Sequence, residues 1–486
     1  MKRTRSRQGW AENLNPMKNI FLLLVLLAGL GLMMVGRASA QTFTTLHFFD
    51  AGLGTTNGDG YNPQAGLTIS GDTLYGTAYS GGSSGNGTIF AINSDATGFT
   101  NLHSFMATYT DSSGVLTNSD GANPVAGLIL SGNKLYGTAQ YGGISGNGTV
   151  FAVNTDGTAF TNLYSFTPIT QASRYTSTNG DGANPQTGLI LSGSTLYGTT
   201  SSGGAYDDGT LFKINTNGTG FTNLYSFNYN TDGGNNPNGL ILVSNMLFGT
   251  LQNGGSIGYG TMFRINTDGN GFTNLHNFIY TAGARPQGTL VLSGDTLYGV
   301  TKEGGPVGFG IGTVFKINID GSGFTNFYYF KSDDADEPVT GLVLSGNTLY
   351  GTGSQGGRNN VGAIFSIKTD GTGYTNLYSV NYNNGNGYGL NGLIFSGNKL
   401  YGTMQNGGLG LNDVGTIFAL SLPPPNPIPL NIQSIANAVI LNWTNSTFVL
   451  QSAPAVIGTY TNILGATSPY TNAITDLQKF FRLNAN

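Results

Sequence analysis

The chain reads as all-β: a seven-bladed β-propeller of four-stranded antiparallel blades, closed by its N-terminal strand and followed by a small β-sandwich-like module. Three observations predict this. A Gly placed two residues before an aliphatic-Phe pair recurs at Gly87, Gly148, Gly209, Gly260, Gly312, Gly362 and Gly415, at intervals of 61, 61, 51, 52, 50 and 53 residues. A period near 50 marks a propeller or a solenoid. Each interval holds four short β-favouring runs. One further run of the fourth type precedes the first repeat, and the last repeat stops after its third run. Ring closure accounts for both ends and removes exposed sheet edges; the alternative, an open solenoid with atypical caps, does not need such a match.

Residues 1–40 read as a signal peptide. Lys2, Arg3, Arg5, Arg7 and Lys18 precede an apolar run from Ile20 to Val35, and Ala38-Ser39-Ala40 supplies a small-residue cleavage site. Met17 is an alternative start. The alternative of a membrane anchor suffers from the shortness of the apolar run, so the mature chain is expected to be secreted, periplasmic or at the cell surface, without a membrane span. Without residues 1–40 there remain 13 Lys and Arg against 22 Asp and Glu, a net charge of −9. A phosphate backbone is repelled by that balance, which disfavours nucleic acid as a partner. The absence of Cys excludes disulfides, thiolate metal sites and a Cys nucleophile.

Residues 41–422 carry the seven repeats. In the second repeat the runs are Gly127–Leu130, Lys134–Thr138, Thr149–Val153 and Phe160–Tyr164, here strands a to d. Ser131-Gly132-Asn133 and Asn154-Thr155-Asp156-Gly157 are tight hairpin signals for the a-to-b and c-to-d turns. Tyr75, Tyr136, Tyr197, Phe248, Tyr298, Tyr350 and Tyr401 mark strand b in a Leu-Tyr/Phe-Gly triplet. The orphan d strand is Phe43–Phe49, and the seventh repeat ends with its c strand, Thr416–Leu420. Residues 423–427 form a Pro-rich linker. In residues 428–486 the alternating runs Val439–Trp443, Phe448–Ser452 and Phe480–Leu483 suggest four to six strands around Trp443.

The recurring Ser-Gly-Asn-x-Leu-Tyr-Gly-Thr and Asn-Thr-Asp-Gly-Thr-Gly-Phe blocks resemble the Gloeobacter and Verrucomicrobia tandem repeat known as the GloVer repeat, over residues 42–420. The resemblance implies an exported surface or periplasmic protein and carries over no catalytic or ligand residues. Some relatives end in a Pro-Glu-Pro sorting signal, which the C-terminal residues here do not show. Residues 428–486 resemble a short C-terminal β module of exported Verrucomicrobia and Planctomycetes proteins, which implies a spacer, cap or sorting element.

Catalytic and metal chemistry is sparse. His47, His103 and His276 share one position of strand d, where other repeats place Tyr164, Tyr225, Tyr328 and Tyr378; aromatic packing explains that exchange, and three separate blades do not converge on one metal. The loops entering strand a contain Asn-x-Asp-Gly, ending at Asp59, Asp120, Asp181 and Asp232 before each Gly. These carboxylates are the calcium candidates, and calcium is the one cofactor the residues suggest. The competing reading is an Asx turn, because the motif recurs in c-to-d hairpins and no EF-hand Glu follows. Asp333, Asp334, Asp336 and Glu337 form the densest acidic group, which as near neighbours on one loop reads as a solvated face rather than a facing glycosidase pair. The Gly-Gly pairs lack a P-loop Lys, and the chain is expected not to be an enzyme.

The a-to-b and c-to-d hairpins are short and nearly constant, so selectivity is expected on the opposite face, formed by the d-to-a and b-to-c loops. Those loops are long around Thr55, Ser112–Thr117 and Ser173–Thr178. Tyr61, Tyr79, Tyr141, Tyr206 and Tyr259 on that face are the candidate binding residues, for a glycan or a protein, although each also suits a packing anchor. The alternatives are a structural envelope or matrix protein without a small ligand, or a carboxylate-based hydrolase.

Overall fold

The computed structural model describes residues 41–485 apart from 51–56, 174–175, 307–309, 382–386, 409–413, 424–429, 436–437, 444–447, 454–460, 464–465 and 474–479. The expected signal peptide, most of the Pro-rich linker and the loop around Thr55 lie outside the described residues. Gln41–Ser421 is one compact unit, and a second begins at Leu422.

Among its described residues, Gln41–Ser421 contains seven antiparallel sheets of four or five strands. In the second, Ile129–Ser131, Lys134–Ala139, Thr149–Asn154 and Thr161–Ser165 follow one another from one edge to the other. Strand b explains the Leu-Tyr-Gly-Thr motif. Leu135 is fully buried. Gly137 lies opposite Phe151 on strand c, where a Cβ would meet the Phe151 ring at 2.6 Å; only Gly leaves room for that ring. The same Gly-Phe register recurs at Gly76/Phe90, Gly198/Phe212, Gly249/Phe263, Gly299/Phe315, Gly351/Phe365 and Gly402/Phe418.

The Thr of the motif faces the neighbouring sheet. Thr77 Oγ1 donates to Ala126 O at 3.2 Å, Thr352 to Asn391 O at 3.3 Å and Thr403 to Ala65 O at 2.7 Å. A second link uses backbone in the left-handed region. Asn62, Asn123 and Asn184 have φ of 61°, 57° and 56°, a conformation Asn tolerates better than most residues. It aims their N–H groups at carbonyls of the preceding sheet: Val414 O at 2.7 Å, Asn86 O at 2.7 Å and Asn147 O at 2.9 Å.

The outermost link is aromatic. The ring near the end of each strand d stacks on the ring that opens strand d of the next sheet. His103 lies on Phe160 at 3.7 Å, Tyr164 on Phe221 at 3.7 Å, Tyr225 on Phe272 at 4.5 Å, and His276 on Phe324 at 3.5 Å. Tyr328 lies on Tyr374 at 4.4 Å, Tyr378 on Phe43 at 4.1 Å, and His47 on Phe99 at 3.8 Å. The first described strand, Thr42–Phe48, is the outer strand of the seventh sheet, pairing with Thr416–Ser421 from Thr42↔Ser421 to Phe48↔Thr416.

Two short hairpins extend the d-to-a connections after the first and second sheets: Tyr109–Thr110 with Leu116–Thr117, and Thr170–Ser173 with Thr176–Thr178. The C-terminal unit has two three-stranded sheets, Asn431–Ile435, Ala438–Asn442 and Tyr470–Ala473, and Thr461–Asn462, Phe448–Ala453 and Phe480–Ala485. Its core gathers Leu441, Trp443 and Leu450, with the Trp in the core as expected.

Phe49 continues the first strand, is 3% exposed, and meets Phe90 edge-on at 5.4 Å. Phe49→Ala is expected to destabilise the Gln41–Ser421 unit by about 3–5 kcal/mol, read as a lower urea midpoint. Deleting residues 41–49 bares Thr416–Ser421 as an unpaired edge, and the shortened chain is expected to run as aggregate in size-exclusion chromatography.

Candidate functional site

The d-to-a loops are built from the Asn and Asp of their motif. Asn118 Oδ1 accepts the N–H groups of Gly121 at 2.9 Å and Gly143 at 2.8 Å, tying its own turn to the Gly-Gly turn of the b-to-c loop. Asn57 and Asn179 do the same with Gly60 and Gly82, and with Gly182 and Gly204. The Asp then reaches back to strand d of the preceding sheet. Asp59 Oδ2 lies 3.1 Å from His47 Nε2, and Asp120 Oδ2 lies 3.0 Å from His103 Nε2. Asp181 Oδ2 accepts the Tyr164 hydroxyl at 2.7 Å. Backbone N–H groups of Met106 and Thr167 complete the shells of Asp120 and Asp181, and Asn228 N–H donates to Asp232 at 2.7 Å.

The calcium candidates Asp59, Asp120, Asp181 and Asp232 therefore sit at four different sheet junctions, each occupied by protein donors, with the Asn carbonyl oxygens of the first three already holding two N–H groups. Among the described residues no group of three or more His, Asp or Glu side chains is placed to hold a metal ion. The arrangement is the Asx turn, extended by an aromatic-carboxylate latch that the spacing alone did not reveal. The latch raises the Tyr164 hydroxyl well above its usual pKa, first through burial, then through the hydrogen bond to Asp181 and its charge. Tyr225 and Asp232, and Tyr328 and Asp334, repeat the effect.

Among the described residues, the junction after the fourth sheet lacks the latch. There the loop is Tyr280-Thr281-Ala282, a short 3-10 turn without a carboxylate, and His276 Nε2 is buried with no hydrogen-bond partner. Burial alone pushes the His276 pKa down to about 4.

The two sets of loops differ in chemistry. On the c-to-d hairpins, Asp95, Asp156, Asp320 and Asp370 are exposed, and each is held below the usual carboxylate range first by the hydroxyl two residues on; Asp268 is held so by the backbone N–H of Asn270. The large exposed apolar side chains lie instead in the d-to-a and b-to-c loops or at the end of strand d that leads into them. They include Tyr109 at 65% exposure, Leu116, Ile144 at 72%, Ile257 and Tyr229. The hairpin carrying Val115 and Leu116 sits over the turn at Gly146, where a Cβ would meet Val115 Cγ1 at 2.5 Å, and so joins Ile144 and Leu116 in one patch.

Of the five candidate tyrosines, Tyr141 and Tyr206 are exposed. Tyr61 and Tyr259 are half-buried and pack against core clusters, the packing-anchor alternative. Tyr79 is half-buried close to Tyr141, and burial raises its pKa. The aliphatic members of the patch were missed, although the long 112–117 segment that carries Leu116 was legible as an insertion.

The dense acidic loop is divided by its partners. Asp334 Oδ2 accepts the Tyr328 hydroxyl at 2.6 Å and Lys331 N–H at 2.9 Å, and Glu337 lies 3.7 Å from Lys302 Nζ. Asp336 is 8% exposed with Oδ1 unpartnered; burial, then the charges of Glu337 and Asp334, push its pKa up to about 6. Its acidic neighbours Asp334 and Glu337 are thus held by other partners.

The family description Gloeobacter/Verrucomicrobia repeat matches residues 35–179, 168–343 and 308–426. No curated protein matches the chain in sequence. Solved structures with a similar fold include an oligogalacturonate lyase in complex with manganese, 11% identical, covering 79% of this chain and 97% of the lyase at a TM-score of 0.45. A GH74 enzyme from Niastella koreensis is 12% identical, covering 83% and 65% at a TM-score of 0.43. A nidogen/laminin complex is 15% identical, covering 55% and 79% at a TM-score of 0.35. At these scores the likenesses assign no activity.

His276 carries a folded-state pKa below its unfolded value, so the folded chain binds fewer protons than the unfolded chain between about pH 6.5 and pH 4. Stability contributed by the neutral ring is present above pH 6.5 and is lost as pH falls through that window. His276→Phe keeps the stack on Phe324 and removes the orphaned nitrogen. It is expected to stabilise by about 1 kcal/mol at pH 5, allowing for partial exposure, with a smaller gain at pH 8, measured by thermal melts at both pH values.

Proposed function

The chain belongs to the Gloeobacter/Verrucomicrobia repeat family, and we propose that it is an exported, non-enzymatic binding scaffold: a closed seven-bladed propeller that docks a protein partner on its d-to-a and b-to-c loop face. The ring reading is supported by the stacks that pass from each sheet to the next, including His47 on Phe99 between the seventh and the first. The observation that carries the docking reading is the segregation of exposed apolar side chains onto one set of loops, with acidic Asx turns on the other. Contiguous exposed apolar side chains on a folded domain mark interaction surfaces.

The composition of the patch favours protein over glycan. Tyrosine serves either ligand, but Leu116 and Ile144 offer hydroxyl-bearing sugars nothing to bond, while aliphatic and aromatic anchors at the centre of a protein interface supply most of its energy. Secretion follows from the basic-apolar-small order of residues 1–40, with the C-terminal β module acting as spacer or cap. No helix among the described residues is long and apolar enough to cross a membrane.

The test is affinity capture from envelope extracts of the producing bacterium with wild-type protein, a Leu116→Asp/Ile144→Asp variant and an Asp156→Lys variant of the opposite face. A partner retained by wild type and Asp156→Lys is expected to bind the double variant more weakly by about 2 kcal/mol or more, roughly 30-fold. Equal retention by all three proteins rejects the docking face.

A further inference from the structure

A cavity of about 450 Å³ is lined by residues from every one of the seven sheets, mainly by the segments that lead into strand a. Its wall combines backbone at Gly66, Gly127, Gly188, Gly239, Gly288, Gly341 and Gly392 with side chains among which Gln64, Gln186, Gln252 and Gln287 recur. The glycines bring neighbouring segments into contact, so that a Cβ on Gly66 would meet Gly392 O at 3.2 Å and one on Gly127 would meet Gly66 O at 3.3 Å. Side chains there would close the space, and their absence leaves peptide groups facing it.

The chemistry of the wall is selective by omission. None of the described lining residues is charged or aromatic. An ionic ligand entering would give up its water without gaining a counter-charge, and a metal ion would find no carboxylate or imidazole. A flat aromatic ligand would find no ring to stack on. Carboxamides remain, each offering both a donor pair and an acceptor. The Gln64 amide is held by Asn62 Oδ1 at 3.2 Å, and the Gln252 oxygen accepts from Asn236. Gln186 and Gln287 make no side-chain hydrogen bond with a described residue. Two free amides, with Thr289 two residues after Gln287 and also on the wall, present the mixed donor-acceptor surface that vicinal hydroxyl groups satisfy.

We infer that this cavity is a binding site for a neutral carbohydrate unit, a mono- or disaccharide, held by Gln186 and Gln287. Its volume falls in the range of small-molecule pockets, about 300–1,000 Å³, and is too small for a folded partner. The site is separate from the apolar patch, since no patch residue lines it.

The experiment titrates the mature full-length chain calorimetrically with a panel of neutral mono- and disaccharides (glucose, galactose, mannose, xylose, cellobiose and maltose), with glucuronate and glucosamine alongside. At least one neutral sugar is expected to bind saturably and better than its charged counterpart. Gln186→Ala and Gln287→Ala are each expected to weaken it about tenfold. Val125→Trp, which fills the cavity from a half-exposed lining position, is expected to abolish binding. Thermal melts of each variant confirm that it is folded. Failure of every neutral sugar to bind wild type, preference for the charged sugars, or binding that survives Val125→Trp overturns the assignment.

Discussion

The architecture of Gln41–Ser421 depends on one contact repeated between successive sheets: an aromatic ring near the end of strand d laid flat on the ring that opens the next strand d. The chain has no cysteine, and its charged residues are only 9% of the total, so neither disulfides nor ion-pair networks hold the sheets together. Each stack buries two ring faces, and dispersion between parallel rings at 3.5–4.5 Å adds to the burial term. The stack also fixes register. With His103 seated on Phe160, Phe105 reaches Phe151 edge-on at 5.4 Å, and Asp120 of the connecting loop meets the polar tip of the same histidine. The Thr and Asn hydrogen bonds nearer the inner strands work in the same frame.

This explains why His and Tyr exchange freely at that position. Either ring stacks, and either presents a donor to the Asp that follows. His276 tests the rule by breaking half of it. Its stack on Phe324 is intact at 3.5 Å while its nitrogen is orphaned, because a 3-10 turn replaces the Asn-x-Asp-Gly loop at that junction. Packing therefore outweighs the latch: the junction tolerates an unpaired imidazole in its neutral form but keeps the ring.

The repeats made most of the fold legible. Strand order and the hairpin turns could be read because each repeat restates them, the orphan first strand because it matches every strand d, and the buried Trp443 from the alternation of its own C-terminal run. The Leu-Tyr-Gly-Thr block was recognisable as strand b, yet the reason for its Gly, a Phe ring on the facing strand, is a cross-strand fact. The latch was illegible for a similar cause: Asp120 and His103 are 17 residues apart and belong to a loop and a strand of different repeats. Tyr61 and Tyr141 occupy comparable Gly-rich loops, and only their surroundings decide that one packs on the core and the other faces water. The cavity was the least visible feature. Its wall takes a few residues from each repeat, and within a single repeat those residues look like an ordinary Gly-containing entry to strand a, Pro-x-x-Gly in four repeats and Pro-x-Gly in two.

Where a chain of repeats departs from its own pattern is where selection for a partner can act without disturbing the frame. The acidic hairpins hardly vary, since Asp156 and its counterparts close their own turns and a change there costs a turn. The d-to-a and b-to-c loops vary in length and in apolar content because their anchoring Asn and Asp sit at the loop base, leaving the tip free. Ile144 lies at such a tip, and Leu116 on the short hairpin inserted in one of these loops. The cavity follows a different logic, for its glycines are constrained by contact with one another while the glutamines between them are not. The Gln186 and Gln287 amides, unlike Gln64, which Asn62 holds, have no partner among the described residues of the frame, and a ligand that exchanges hydrogen bonds with carboxamides supplies a reason for them.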